Sequence, residues 1–323
     1  MYNLKQLADY GIHLPSGTNL LSDAQPSLIT TSNSGIPAYL ANYMDPKIIE
    51  IVVAPMKAAE IVGESKKGSW VDVSSTFPSI EYTGETSAYG DYSNNGASGA
   101  NSNFNYRESF HYQTITQWGE LELERAGLAK LDWASRLNIA SVLTLNKYQN
   151  KTYFYGVENI KNYGLLNDPN LSPSILPTAS WNADSTSAAT VYEDIRRLFL
   201  QLQKQSNGVI DDTTPMVLAM SPYTKGALQK TNTYNVNVKA QIKDNFPNCV
   251  VETAPEYSTE SGELVQLIVK SLEGQDTATC AFTEKLRAHP VIMAESSFRQ
   301  KKSQGTWGCI IFRPFLIASM IGV

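Results

Sequence analysis

The side chains best suited to acid–base chemistry are three histidines, His13, His111 and His289, and the carboxylates Glu120, Glu122 and Glu124. The histidines are scattered, and none has a second histidine at metal-ligand spacing, so they outline no metal centre. His111 lies between Phe110 and Tyr112, on the polar side of an alternating segment, and reads as a surface residue. Paired carboxylates could cleave a glycosidic bond if held across a sugar. Acidic residues also gather at helix N-termini because the dipole favours them there, and that role needs no substrate. We expect the second role for Glu120 to Glu124. Gly63-Glu64-Ser65-Lys66-Lys67-Gly68-Ser69 looks superficially like a phosphate loop but lacks the Gly-Lys-Ser/Thr ending, so it reads as a turn into the next strand. No dinucleotide fingerprint, nucleophile elbow or kinase signature is present.

Two further groups could carry chemistry. Cys249, Cys280 and Cys309 are odd in number and widely spaced, which suits neither a disulfide framework nor zinc and implies folding in a reducing cytoplasm. Lys285, Arg287, Arg299, Lys301, Lys302 and Arg313 face only Glu295, so this stretch is basic, while acids outnumber bases in the first 150 residues. Such asymmetry suits contact between copies of one chain; the plainer reading is a solvated loop. No catalytic residue, cofactor or metal is assigned.

The composition narrows the function class further. A chain of 323 residues with 42% hydrophobic and 18% charged side chains is a folded protein of about two globular units. A net charge of −5 and a pI near 5.4 argue against a broad nucleic-acid-binding surface. The most apolar stretch, Cys309 to Val323, is interrupted by Arg313-Pro314 and is too short to span a bilayer, which needs about 20 residues. No basic-then-apolar leader follows Met1.

The elements that would position these residues follow from periodicity. Residues 1 to 45 are rich in turn formers and read as an extended arm, and Ile48 to Pro55 is an apolar segment. Ser69 to Phe77, opened by Trp70, reads as a strand. Phe104, Tyr106, Phe110 and Tyr112 alternate with polar residues as one apolar strand face. The glycine- and asparagine-rich stretch from Gly84 to Asn103 would be the tip of the long hairpin these strands form. A two-stranded hairpin is marginal alone, so its aromatic face must cover something. From Gln117 to Tyr148 the period turns helical, predicting a spine of about 48 Å that Gly127 could bend or end as an early segment. Gly164 is the expected left-handed helix cap. Prolines between Leu171 and Trp181 mark a boundary near residue 180. Beyond it, a helix through Val191, Ile195, Leu198 and Leu202, a buried strand Met216 to Met220, a helix within Val236 to Phe246 and later strands make the chain α+β.

This order of parts, with Trp70, Gly90-Asp91-Tyr92, the helix from Glu120, Gly164-Leu165-Leu166-Asn167-Asp168-Pro169, Trp181 before Asp194-Ile195, and Arg313-Pro314 with Gly322, resembles the major capsid proteins of tailed bacteriophages, the Hong Kong 97-like fold. The resemblance implies an N-terminal arm at 1–45, a first part of the peripheral domain at 46–68 and an extended β-hairpin loop at 69–117. It further implies the rest of the peripheral domain with its spine helix at 118–180, and an axial domain at 181–323 with a strand excursion back near 262–290. It implies a homo-oligomer of hexamers and pentamers forming an icosahedral virion shell around double-stranded DNA, assembled in the host cytoplasm without sequence-specific DNA contacts. Portal, scaffolding and decoration proteins are the further partners it implies, and entry into the arm directly after Met1 predicts a separate scaffold. Trp70, Phe104, Tyr106, Phe110 and Tyr112 would make the inter-subunit contact. The lysine–asparagine cross-link of some relatives is not carried over, because the hairpin tip holds no lysine. An encapsulin-like nanocompartment shell is the alternative.

Overall fold

The computed structural model describes residues 56–129 and 131–323, apart from the side chains of residues 79, 81 and 103, all within one compact unit, Glu50–Val323. The expected arm at 1–45 and the apolar segment Ile48 to Pro55 lie outside the described residues.

Two mixed sheets organise the fold. In the first, β1 (Glu64–Lys66) runs parallel to β11 (Ala278–Ala288), which pairs antiparallel with the long β13 (Ser297–Ile311). The remaining edges of β13 take β12 (Ile292–Met293) and β4 (Phe110–Gly119). The second sheet has the order β14 (Ile317–Ile321), β8 (Gly262–Val269), β5 (Met216–Met220), β6 (Cys249–Thr253), with β7 (Ser258–Thr259) beside β8. The short β9 (Ser271–Leu272) and β10 (Gln275–Asp276) link the two sheets.

The run Met216-Val217-Leu218-Ala219-Met220 is apolar without alternation because both faces of β5 are covered. Met216, Leu218 and Met220 pack with Val191, Ile195, Leu198 and Leu202 of α4 (Ala188–Gln205) and Ile242 of α6 (Val238–Asn245). Val217 and Ala219 face the other way, into a core with Ala58 and Ile61 of α1 (Ala58–Val62), Phe154, Leu165, Cys280 and Cys309. The short α5 (Pro222–Lys225) follows β5, with Ser221 as its cap. The second core joins the two sheets. Buried Asp194 ties α4 to the chain entering it, accepting hydrogen bonds from Thr178 N at 3.0 Å, Trp181 Nε1 at 3.0 Å and Arg197 at 3.1 Å.

Several expected boundaries move. The spine is two helices, α2 (Glu120–Leu128) and α3 (Trp133–Tyr155), because Asp132 caps a new start by accepting a hydrogen bond from Ser135 N at 3.3 Å. Gln117 belongs to β4, not to a helix. Gly156, at φ 65°, ends α3 in place of Gly164. Gly164 has another role. The chain doubles back there, donating from Leu165 N to Tyr153 O at 2.8 Å and from Leu166 N to Phe154 O at 3.0 Å. A Cβ on Gly164 would sit 2.2 Å from the backbone of Phe154. The lysine-bearing turn at Gly63 to Ser69 contains β1, so it is part of the first sheet rather than a bare turn.

Candidate assembly interface

The hairpin is formed by β2 (Ser74–Glu85) and β3 (Ala97–Glu108), in register from Ser74 opposite Glu108 to Glu85 opposite Ala97. Trp70 therefore precedes the strand, and the expected strand Ser69 to Phe77 is displaced towards the tip. The alternating strand expected from Phe104 to Tyr112 is also divided. At Ser109 the chain leaves the ribbon, with Ser109 N donating to Val73 O at 2.9 Å, and continues as β4 against β13.

This division separates the five aromatic residues. Phe104 and Tyr106 stay on the ribbon. Phe110 and Tyr112 lie half-buried beneath α3, where Tyr112 and Tyr148 have ring centroids 4.6 Å apart and Tyr112 Oη donates to Gln304 at 2.8 Å. Burial pushes the Tyr112 phenol upward in pKa. Trp70 packs edge-on against His111 at 4.3 Å, and the Arg287 guanidinium lies over its ring at 5.3 Å. The expectation of a surface His111 is corrected in turn, because its Nε2 is buried with no hydrogen-bond partner. Burial lowers its pKa.

The ribbon's root is firmly held. Phe77 packs edge-on against Trp307 and Phe312, each at 6.4 Å. Arg107, expected on the polar side, is buried and donates to buried Asp168 at 2.6 Å while lying 4.8 Å over the ring of Tyr163. Asn162 Nδ2 donates to the carbonyls of Glu108 at 3.0 Å and Thr306 at 3.2 Å.

Beyond the root, one face of the ribbon is apolar and open. The register places Thr76, Pro78, Ile80 and Tyr82 on the same face as Ala100, Phe104 and Tyr106. Ile80 is 61% exposed, Tyr82 85%, Phe104 62% and Tyr106 41%. Ile80 and Tyr82 were missed from sequence because Pro78 reads as the end of a strand. Their spacing of two from Thr76 and Pro78 was the available signal. Pro78, Ile80 and Tyr82 also line one wall of an open groove of about 980 Å³, whose opposite wall carries Val209, Leu272 and Phe315.

The candidate chemical groups are spread apart or structurally engaged. Glu122 accepts from Gly119 N at 3.3 Å and from Trp133 Nε1 at 2.6 Å, joining α2 to α3. Lys285 pairs with Glu64, and Arg313 donates to Leu272 O at 3.0 Å. Lys302 is buried under α3, donating to Asn138 Oδ1 at 2.8 Å and Ser141 Oγ at 2.7 Å, and burial lowers its pKa. Arg287, Arg299 and Lys301 are exposed and have no carboxylate partner among the described residues. Among those residues no three metal-ligating side chains converge.

A family model described as the Pa193 gp26 major capsid protein matches residues 27–322. The chain belongs to that family. It is a major capsid protein of the tailed-phage type. Its fold is similar to that of the capsid of Myoviridae phage XM1, at a TM-score of 0.76 and 15% identity over 89% of this chain and 99% of the other. The capsid of the native GTA particle is similar at a TM-score of 0.64 and 10% identity, covering 91% and 99%. A virus-like particle from Pyrococcus furiosus is similar at a TM-score of 0.51 and 12% identity, covering 81% and 90%. No curated protein matches the chain by sequence. The family match favours the phage capsid over the nanocompartment alternative, and the role it gives this capsid protein is structural.

Proposed function

We propose that this capsid protein adopts the Hong Kong 97-like arrangement and builds its shell by laying the hairpin across a neighbouring copy. Residues 1–45 act as the arm, 46–68 and 118–180 as the peripheral domain, 69–117 as the extended loop and 181–323 as the axial domain. The passage of the chain from β8 in one sheet to β11 in the other supports an excursion near 262–290. Copies join as hexamers and pentamers and close into an icosahedral shell around double-stranded DNA. The DNA is enclosed without sequence-specific contacts. Scaffolding, portal and decoration proteins are further partners, and assembly takes place in the host cytoplasm.

The observation that carries this reading is the mismatch between the hairpin's two ends. Its root is fixed by a buried ion pair and by aromatic packing, while Ile80, Tyr82, Phe104 and Tyr106 stand open to solvent. A two-stranded ribbon with an apolar face gains stability only when that face is covered. A second copy supplies the cover. Trp70, packed at the root, flanks the contact, whereas Phe110 and Tyr112 act indirectly by fixing β4 under α3.

Light scattering and negative-stain microscopy of the full chain test this. The wild type is expected to form capsomers or closed particles, and the double variant Ile80→Asp, Phe104→Asp to remain monomeric with an unchanged melting temperature. A wild type that is monomeric at every concentration, or a double variant that assembles normally, overturns the proposal.

A further inference from the structure

Two of the three cysteines face each other. Cys280 of β11 stands directly opposite Cys309 of β13. Neither amide is used between these strands: Cys280 N donates to Gly63 O at 3.0 Å and Cys309 N to Tyr163 O at 2.9 Å. This is therefore a non-hydrogen-bonded antiparallel pair, in which Cα atoms approach to about 4.5 Å and side chains share one face. A disulfide spans Cα separations of about 4.4–6.8 Å, so the backbone need not move to accept one.

The surroundings isolate the pair. Both side chains are fully buried in the core that joins the two sheets, beside Phe154 and Tyr257. Cys249 packs against the other core, on the far side of β5, and cannot reach them. The β11–β13 ladder is also irregular immediately beyond the pair, with register shifts between Ala281 and Phe282, Phe282 and Glu284, and Glu284 and Arg287. A covalent tie at 280 and 309 would hold the two strands where their backbone pairing is interrupted.

We propose that Cys280 and Cys309 are a dithiol that closes into an intramolecular disulfide when the protein meets a peroxide, stapling β11 to β13. One thiolate attacks a peroxide oxygen, the O–O bond breaks, and the sulfur becomes a sulfenic acid with release of water. The second thiol then attacks that sulfur, the S–S bond forms, and the hydroxyl leaves as a second water. Two electrons pass from the two sulfurs to one hydrogen peroxide, which yields two waters. Burial holds the Cys280 thiol well up in pKa, so closure is slow and the pair stays reduced in a glutathione-buffered cytoplasm. The inference does not depend on how copies assemble.

The test uses the full-length protein, incubated with hydrogen peroxide for hours about 10 °C below its melting midpoint. It is then denatured, alkylated and examined by intact mass and peptide mapping. The expected result is a loss of about 2 Da, a single alkylated thiol at Cys249 and a peptide joining Cys280 to Cys309. The oxidised protein should melt about 5 °C above its own reduced form. Cys249→Ser should keep this difference and Cys309→Ala should lose it; each protein is compared only with itself, so any cost of the substitution cancels. Three thiols still open to alkylation, sulfinic acids at Cys280 or Cys309, or a link through Cys249 would each overturn the proposal, and the wild-type peptide map decides even if a variant fails to fold.

Discussion

Arg107 and Asp168 lie 61 positions apart and form the anchor of the hairpin. A buried pair contributes little beyond a well-packed apolar substitute, but removing one partner strands the other charge. Asp168→Asn should therefore cost about 3–5 kcal/mol in urea unfolding, whereas replacing both partners with apolar residues of similar volume should cost far less. His111 makes a pH prediction. Its pKa is lowered in the folded protein, so the unfolded chain takes up the proton first as pH falls. Stability should be insensitive to this group above the ordinary histidine value of 6.5 and should decline below it. A His111→Gln variant, compared by thermal melts from about pH 7.5 to about pH 5.5, should show a shallower decline. Neither residue's environment was legible in the sequence. Alternation assigns Arg107 and His111 to the polar side of a strand, but it does not report that a second layer covers that side.

Among the elements, the hairpin was legible in kind and misplaced in extent. Periodicity of two marks extended backbone and continues unbroken through Ser109, although the chain changes partner there from β2 to β13. The spine was legible as helix, and Gly127 marked where an early segment could end, one residue before α2 stops at Leu128; the restart at Trp133 was not legible, because the apolar spacing survives across Asp132. That capping aspartate was the overlooked signal. Gly164 was recognised as special for the wrong reason: its lack of a side chain, rather than a left-handed φ, permits the backbone to lie against Phe154. Gly164→Ala should cost about 1–3 kcal/mol or more through forced displacement, measured by chemical denaturation. Replacing residues 79–103 by a two-residue Asn-Gly turn should leave the melting temperature of the body almost unchanged and abolish particle formation in electron micrographs.

Within the described unit, the sheet that contains β5 carries a core on each face. Because β5 contributes alternate residues to both cores, neither can melt without exposing the other. Calorimetry of dispersed subunits should therefore show a single transition rather than separate ones for the two sheets. Charge is also unevenly distributed. Residues 68–106 contain Asp72, Glu81, Glu85 and Asp91 with no lysine or arginine, while Arg287, Arg299 and Lys301 project from β11 and β13. If ribbon and sheet meet between copies, association should slow as salt rises from about 50 to about 500 mM, read by stopped-flow light scattering. The apolar contact itself should persist at high salt.

Pro78 has one more consequence. Lying opposite Phe104 in a ribbon whose inward amides are already engaged, it removes a donor from the outward rim of β2. An unpaired rim is a template on which identical chains can stack without limit. The imino ring thus discourages edge-to-edge stacking of identical chains, and it does so without altering the apolar side-chain face of the ribbon.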